Sequence, residues 1–64
     1  MNLTKTMKEK NITSKKLAEM TGINTRTIED YRQERREPSV KKGLIIANAL
    51  GVDPYELYGV EKSK

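Results

Sequence analysis

The sequence contains no cysteine, no histidine, no phenylalanine and no tryptophan, and its only aromatic residues are three tyrosines. Without cysteine there is no disulfide, and without cysteine or histidine there is no zinc site of the usual kind to hold a small fold together. No metal and no cofactor is expected. A catalytic acid or base would have to be a carboxylate, a lysine or a tyrosine, and no recognisable motif places such a pair, so the chain is not expected to be an enzyme. No apolar run approaches the roughly 18 residues of a membrane span. The opening stretch MNLTKTMKEKN lacks the apolar segment of a signal peptide. A cytoplasmic protein with no membrane partner is expected.

What remains is a 64-residue chain of 34% charged residues, enough for one small domain over residues 1–60 followed by a short polar tail over 61–64. A chain of this length buries only about 60% of the surface its unfolded form exposes. The core must therefore be packed efficiently, and with no cross-link available helix packing is the stabiliser. The charge is uneven: residues 1–42 carry 11 cations and 6 anions, whereas residues 43–64 carry 2 cations and 3 anions. A basic first two-thirds beside a near-neutral remainder is the electrostatic footprint of a nucleic-acid binder, although many small proteins are basic for no such reason.

No segment alternates apolar and polar residues for long enough to make a half-buried strand. The punctuation is helical. Leu3 and Met7 share one face of a first short helix, which Asn11 can stop because asparagine tolerates the left-handed conformation. Three later starts have an apolar residue before the cap and another five positions on, which is the pattern of a hydrophobic staple. Ile12, Thr13 and Leu17 open the second helix, Ile23, Asn24 and Ile28 the third, and Val52, Asp53 and Leu57 the fifth. In the fifth, Pro54 takes the first helical position and Glu56 stands where it can complete a capping box. The fourth begins after Pro38 with Ser39 as cap, carries Val40, Leu44, Ala47 and Leu50 as its apolar stripe, and ends at Gly51. Gly43 inside it costs about 1 kcal/mol relative to alanine. The expectation is an all-α domain of five short helices.

Between the second and third helices, Ala18 is small where another helix must cross, Gly22 sits where the chain turns, and Ile28 and Tyr31 point back into the core. Two helices joined by a turn of about three or four residues containing glycine describe a helix-turn-helix, here over about residues 13–33. In that arrangement the second of the pair lies in the DNA major groove while the first crosses the backbone. ITSKKLAEMTGINTRTIEDY, then REPS, then LIIANALGVDPYELYG, in this order and spacing, resembles the phage repressor and Cro family of helix-turn-helix proteins, also called the Xre family. The resemblance runs from about Leu3 to Gly59. It implies a compact five-helix, lambda-repressor-like DNA-binding domain, usually dimeric, of bacterial or phage origin, that binds a double-stranded operator and regulates transcription.

Carried over residue by residue, the resemblance points to Thr25, Arg26 and Asp30 for base contact. Arg26 can donate two parallel hydrogen bonds to guanine, Thr25 can meet a thymine methyl, and Asp30 can accept from cytosine. A cation at Arg26 opposes the helix dipole, which a plain solvating role does not explain. Asp30 is equally explained as a surface carboxylate. Phosphate contacts are expected from Ser14, Lys15, Asn24, Thr27, Arg32, Arg35, Arg36, Lys41 and Lys42. Asn24 is equally explained as a helix cap, and Ser14 and Thr27 as first-turn polar residues; for the basic loop around Pro38 the lesser alternative is a solvated segment.

The sequence departs from the family pattern at several places. Ser14 replaces a common glutamine and shortens the reach to phosphate. Arg32 and Glu34 stand where the family often has glutamate and, two residues on, glycine, so the third helix is expected to run longer. Met7 stands where the family's glutamate would find an arginine, so no ion pair is expected there and Arg32 is expected to face solvent or phosphate. Ile45 replaces a residue that is usually polar, and with Tyr55, Tyr58 and Val60 it can form an exposed apolar patch for a partner, the dimer contact being expected at Ile45, Tyr55 and Tyr58. With the chain ending at Lys64, no inducer-sensing domain is expected, as in a Cro-like minimal repressor. The acidic pair Glu29 and Asp30 favours another reading, a protein-interaction module on the same fold, such as an antitoxin or a regulator-docking domain with a protein partner.

Overall fold

A computed structural model describes residues 1–59. Its elements are α1 (Leu3–Glu9), α2 (Ser14–Thr21), α3 (Thr25–Arg32), α4 (Val40–Leu50) and α5 (Pro54–Tyr58), with no strand among the described residues. The all-α, five-helix domain is thus present; Val60 and the tail 61–64 lie outside the described residues.

Most boundaries have a local cause. Thr13 Oγ1 accepts from the Lys16 N–H at 3.1 Å, Asn24 Oδ1 from the Arg26 N–H at 2.8 Å, Ser39 Oγ from the Lys42 N–H at 3.2 Å, and Asp53 Oδ1 from the Tyr55 N–H at 2.9 Å. Four helices therefore start where a side-chain oxygen satisfies an amide that the helix itself leaves unpaired. The stops are also local. Asn11 takes φ 57° and lets the Ile12 N–H return to the Met7 carbonyl at 2.9 Å. Gly51 at φ 70° likewise lets the Val52 N–H return to the Ala47 carbonyl at 3.0 Å.

One apolar cluster joins all five helices: Leu3 and Met7 from α1, Leu17 from α2, Ile28 and Tyr31 from α3, Ile46, Ala47 and Leu50 from α4, and Leu57 from α5, with Ile23 from the turn. The Asn2 N–H donates to the Leu57 carbonyl at 2.7 Å and ties the start of α1 to α5. Helix α2 packs on both α3 and α4, so the helix pair is held from behind by the longest helix.

Two expectations are corrected. Helix α3 does not run longer: it ends at Arg32, and Glu34 adopts the left-handed φ of 59° that the family's glycine would take. The chain turns there despite the cost to a non-glycine residue. In α4 the stripe is rotated: Val40 is 77% and Leu44 50% exposed, while Gly43, Ile46, Ala47 and Leu50 face inward. Gly43 lies on this inward face, and because a Cβ there would collide with Tyr58 Oη, the glycine lets the α5 tyrosine lie against the α4 backbone.

Candidate nucleic-acid interface

The two helices of the motif meet at Gly22, whose N–H closes α2 on the Ala18 carbonyl at 2.9 Å and whose φ of 75° turns the chain that follows. Thr21 Oγ1 donates to the Leu17 carbonyl at 2.8 Å and accepts from the Ile23 N–H at 3.2 Å, so the turn is braced by its own hydroxyl. Buried Ile23 pins the turn to the core and Ile28 and Tyr31 anchor α3. Thr25 and Arg26 open α3 on its exposed side. Asn24 caps the same helix with Oδ1 only, so its amide N–H groups are still open to a phosphate.

The first turns of α2, α3 and α4 contain no acidic residue. They hold instead Lys15 and Lys16, Arg26, and Lys41 and Lys42, all exposed. None of these five forms an ion pair with another described residue. Helix α5 differs, with Pro54 and Glu56 in its first turn. A cation beside a helix N-terminus is unfavourable by a few tenths to about 1 kcal/mol, and an anion arriving there reverses the sign. Lys16 was missed by the sequence reading; its signal is that it shares the first turn of α2 with Lys15.

Other candidates are occupied within the protein. Ser14 is only 9% exposed, its hydroxyl donating to Glu29 Oε2 and accepting from Arg32 Nη1 at 2.7 Å. Arg32 Nη1 also donates to Glu29 Oε2 at 3.2 Å, and its Nε donates to Thr4 Oγ1 at 3.3 Å. The Ser14 hydrogen bond, aided by the Arg32 guanidinium, outweighs desolvation and holds the Glu29 carboxyl below its ordinary range. Arg32 is thus half-buried and engaged through Nη1 and Nε: with Met7 buried in the core, it pairs with Glu29 on its own helix and reaches α1 through Thr4. The single Ser14 hydroxyl hydrogen is likewise committed to Glu29. Arg35 donates to Asp30 Oδ1 through Nε at 3.1 Å and Nη2 at 2.9 Å, and its Nη1 donates to Gln33 Oε1. Exposed Arg36 and half-buried Thr27 complete the candidates.

A family model described as helix-turn-helix matches residues 3–57. The chain belongs to the helix-turn-helix family. This helix-turn-helix protein is accordingly a DNA-binding regulatory domain of the kind its residues resemble, from a family of regulators and not of enzymes. No curated protein and no solved structure matches it. Among its described residues no helix is long and apolar enough to cross a membrane.

A second surface of the helix-turn-helix protein is apolar. Val40, Leu44, Pro54, Tyr55 and Tyr58 line a groove between α4 and α5, with Ile45 38% exposed on the same helix as Leu44. Val40 and Leu44, read from the sequence as part of the apolar stripe of α4, lie instead in this exposed groove beside Tyr55 and Tyr58. Burial pushes the Tyr58 phenol up from its ordinary value, with Glu37 and Tyr31 adding to the shift.

Proposed function

We propose that the chain is a sequence-specific transcriptional repressor that binds a near-palindromic DNA operator as a dimer, with one α3 in each of two successive major grooves about 34–36 Å apart. The observation that carries this reading is the set of three helix starts bearing Lys15, Lys16, Arg26, Lys41 and Lys42 with no acid beside them. In the free protein these cations oppose three helix dipoles. Phosphates delivered to the same places are attracted by dipole and cation alike.

Arg26 reads guanine and Thr25 a thymine methyl or a polar base edge. Lys15, Asn24, Thr27, Arg36, Lys41 and Lys42 hold phosphates. Asp30 meets a base only through the oxygen that Arg35 leaves open, and Arg35 reaches phosphate from that pair. A second copy covers the apolar groove, with Ile45, Tyr55 and Tyr58 in the contact. The acidic pair that favours a protein partner loses its force, because Glu29 is neutralised by Arg32 and Asp30 by Arg35.

The test is selection of bound duplexes from a random pool, followed by salt titration of the best sequence with the natural chain and with Arg26→Ala. A near-palindromic site is expected. Arg26→Ala should lose about 1–3 kcal/mol of discrimination at one base pair per half-site and keep a similar salt slope. Weak binding indifferent to sequence at physiological salt would reject the repressor reading.

A further inference from the structure

We propose that Ser14, Glu29 and Arg32, with Thr4, form a clamp that sets the register of α3 and thereby the sequence preference of the protein, without touching DNA. This inference rests on the DNA-binding reading above.

The clamp joins three helices at one point. Ser14 begins α2, Thr4 lies in α1, and Glu29 and Arg32 occupy the second turn of α3. The guanidinium sits at the centre: Nη1 donates to both Ser14 Oγ and Glu29 Oε2, while Nε reaches Thr4 Oγ1. Ser14 closes the triangle by donating to Glu29. A serine this deeply buried, with its hydroxyl engaged on both sides, is a fixed point and not a surface contact.

Helix α3 has only 8 residues, and its buried side chains are Ile28 and Tyr31. Two apolar anchors resist separation of the helix from the core but resist sliding and rotation poorly, because apolar attraction has no direction. Charge-assisted hydrogen bonds are directional and short. Placed on the second turn of α3, past Arg26, they fix the sliding and rotation that the apolar anchors leave. A bidentate base contact needs its donors held within about 0.5 Å, so a small slide of the helix removes it while phosphate contacts persist.

The same arrangement gives each group a use that the interface alone does not. It withdraws the Ser14 hydroxyl from phosphate, and it neutralises an acid on the helix that approaches DNA.

The experiment titrates the natural chain, Ser14→Ala and Arg32→Lys onto the selected duplex and onto a scrambled duplex of equal length at one salt concentration, with helicity checked by circular dichroism. Neither substitution alters net charge, and a lysine cannot serve three acceptors in the arginine's fork geometry. Both variants should bind the selected duplex about tenfold more weakly, the factor of one misaligned base contact, and the scrambled duplex within about twofold of the natural chain. Loss of folded protein would lower both affinities in proportion and leave their ratio unchanged. An unchanged ratio in both variants therefore overturns the clamp while the regulator reading stands. Should one variant fail to fold, the ratio in the other decides. A natural chain with no preference for the selected duplex overturns the regulator reading itself, and the clamp with it.

Discussion

Gly43 and Tyr58 offer a sharp test of the packing, because the same substitution should change sign with its partner. Alanine in a helix interior is favoured over glycine by about 1 kcal/mol, so Gly43→Ala taken locally is stabilising. The structure opposes it: a Cβ at position 43 would lie 1.9 Å from Tyr58 Oη, 2.8 Å from Cζ and 3.0 Å from Cε2. To restore an ordinary carbon separation of about 3.5–4.0 Å the ring must move by more than an ångström. Overpacking of this kind costs about 1–3 kcal/mol, so the net effect of Gly43→Ala in the natural chain is a loss of roughly 0–2 kcal/mol. With Tyr58→Ala already present, only the helix term remains. Gly43→Ala should then stabilise by about 1 kcal/mol and raise the midpoint by roughly 4–8 °C for a domain of this size. Tyr58→Phe, which removes only the closest atom, should fall between. The assay is thermal and urea unfolding of the four chains of the cycle by circular dichroism at one protein concentration. A coupling of about 1–3 kcal/mol is expected. Equal effects of Gly43→Ala in both backgrounds would refute the claim that the glycine exists to admit the tyrosine.

Glu34 holds φ 59° and is 74% exposed, with a 3.7 Å pair to the N-terminal amine that contributes little. Relief of about 1–2 kcal/mol of left-handed strain, less about 0.5–1 for the added chain freedom, makes Glu34→Gly stabilising by up to about 1.5 kcal/mol; a lower unfolding midpoint would count against it. Met7 is 1% exposed, so Met7→Arg buries a charge in the core and near Arg32. A loss above about 3 kcal/mol is expected in urea unfolding, most of what a domain of this size possesses, and increased thermal stability would reject the placement. The Glu29 carboxyl is held below its ordinary value of 4.5. Its folded value lies beneath its unfolded one, so its stabilising contribution is present above about pH 4.5 and is lost as pH falls through the folded value. Glu29→Gln should therefore be less stable than the natural chain at neutral pH, the gap closing in acid; a gap that stays constant down to acid unfolding would show that Glu29 carries no such linkage.

Most helix boundaries were legible in the sequence because their causes are local; the end of α3, where Glu34 rather than a glycine takes positive φ, was not. Thr13, Asn24, Ser39 and Asp53 cap by bonds spanning two or three residues, and Asn11, Gly22 and Gly51 stop helices through their own tolerance of positive φ. The spacing of Ala18, Gly22, Ile28 and Tyr31 carried the motif and the fold for the same reason. The face of α4 was not legible, since Val40, Leu44 and Ile45 are as apolar as Ile46 and Leu50, and a helix apolar on several sides has no unique stripe. Gly43 was the available clue, but its meaning required Tyr58, fifteen positions away. The roles of the charged residues were legible only in part. Nothing local distinguishes Arg26, which remains open, from Arg32, which closes on Ser14 across 18 positions, or tells that Glu29 lies beside a hydroxyl 15 positions earlier. The sequence by itself thus determined which elements form and, the end of α3 apart, where they begin and end, because short-range bonds and backbone preferences decide that. Only the tertiary structure decided which side chains are left for DNA, because those pairings depend on how the helix axes cross once the core has packed.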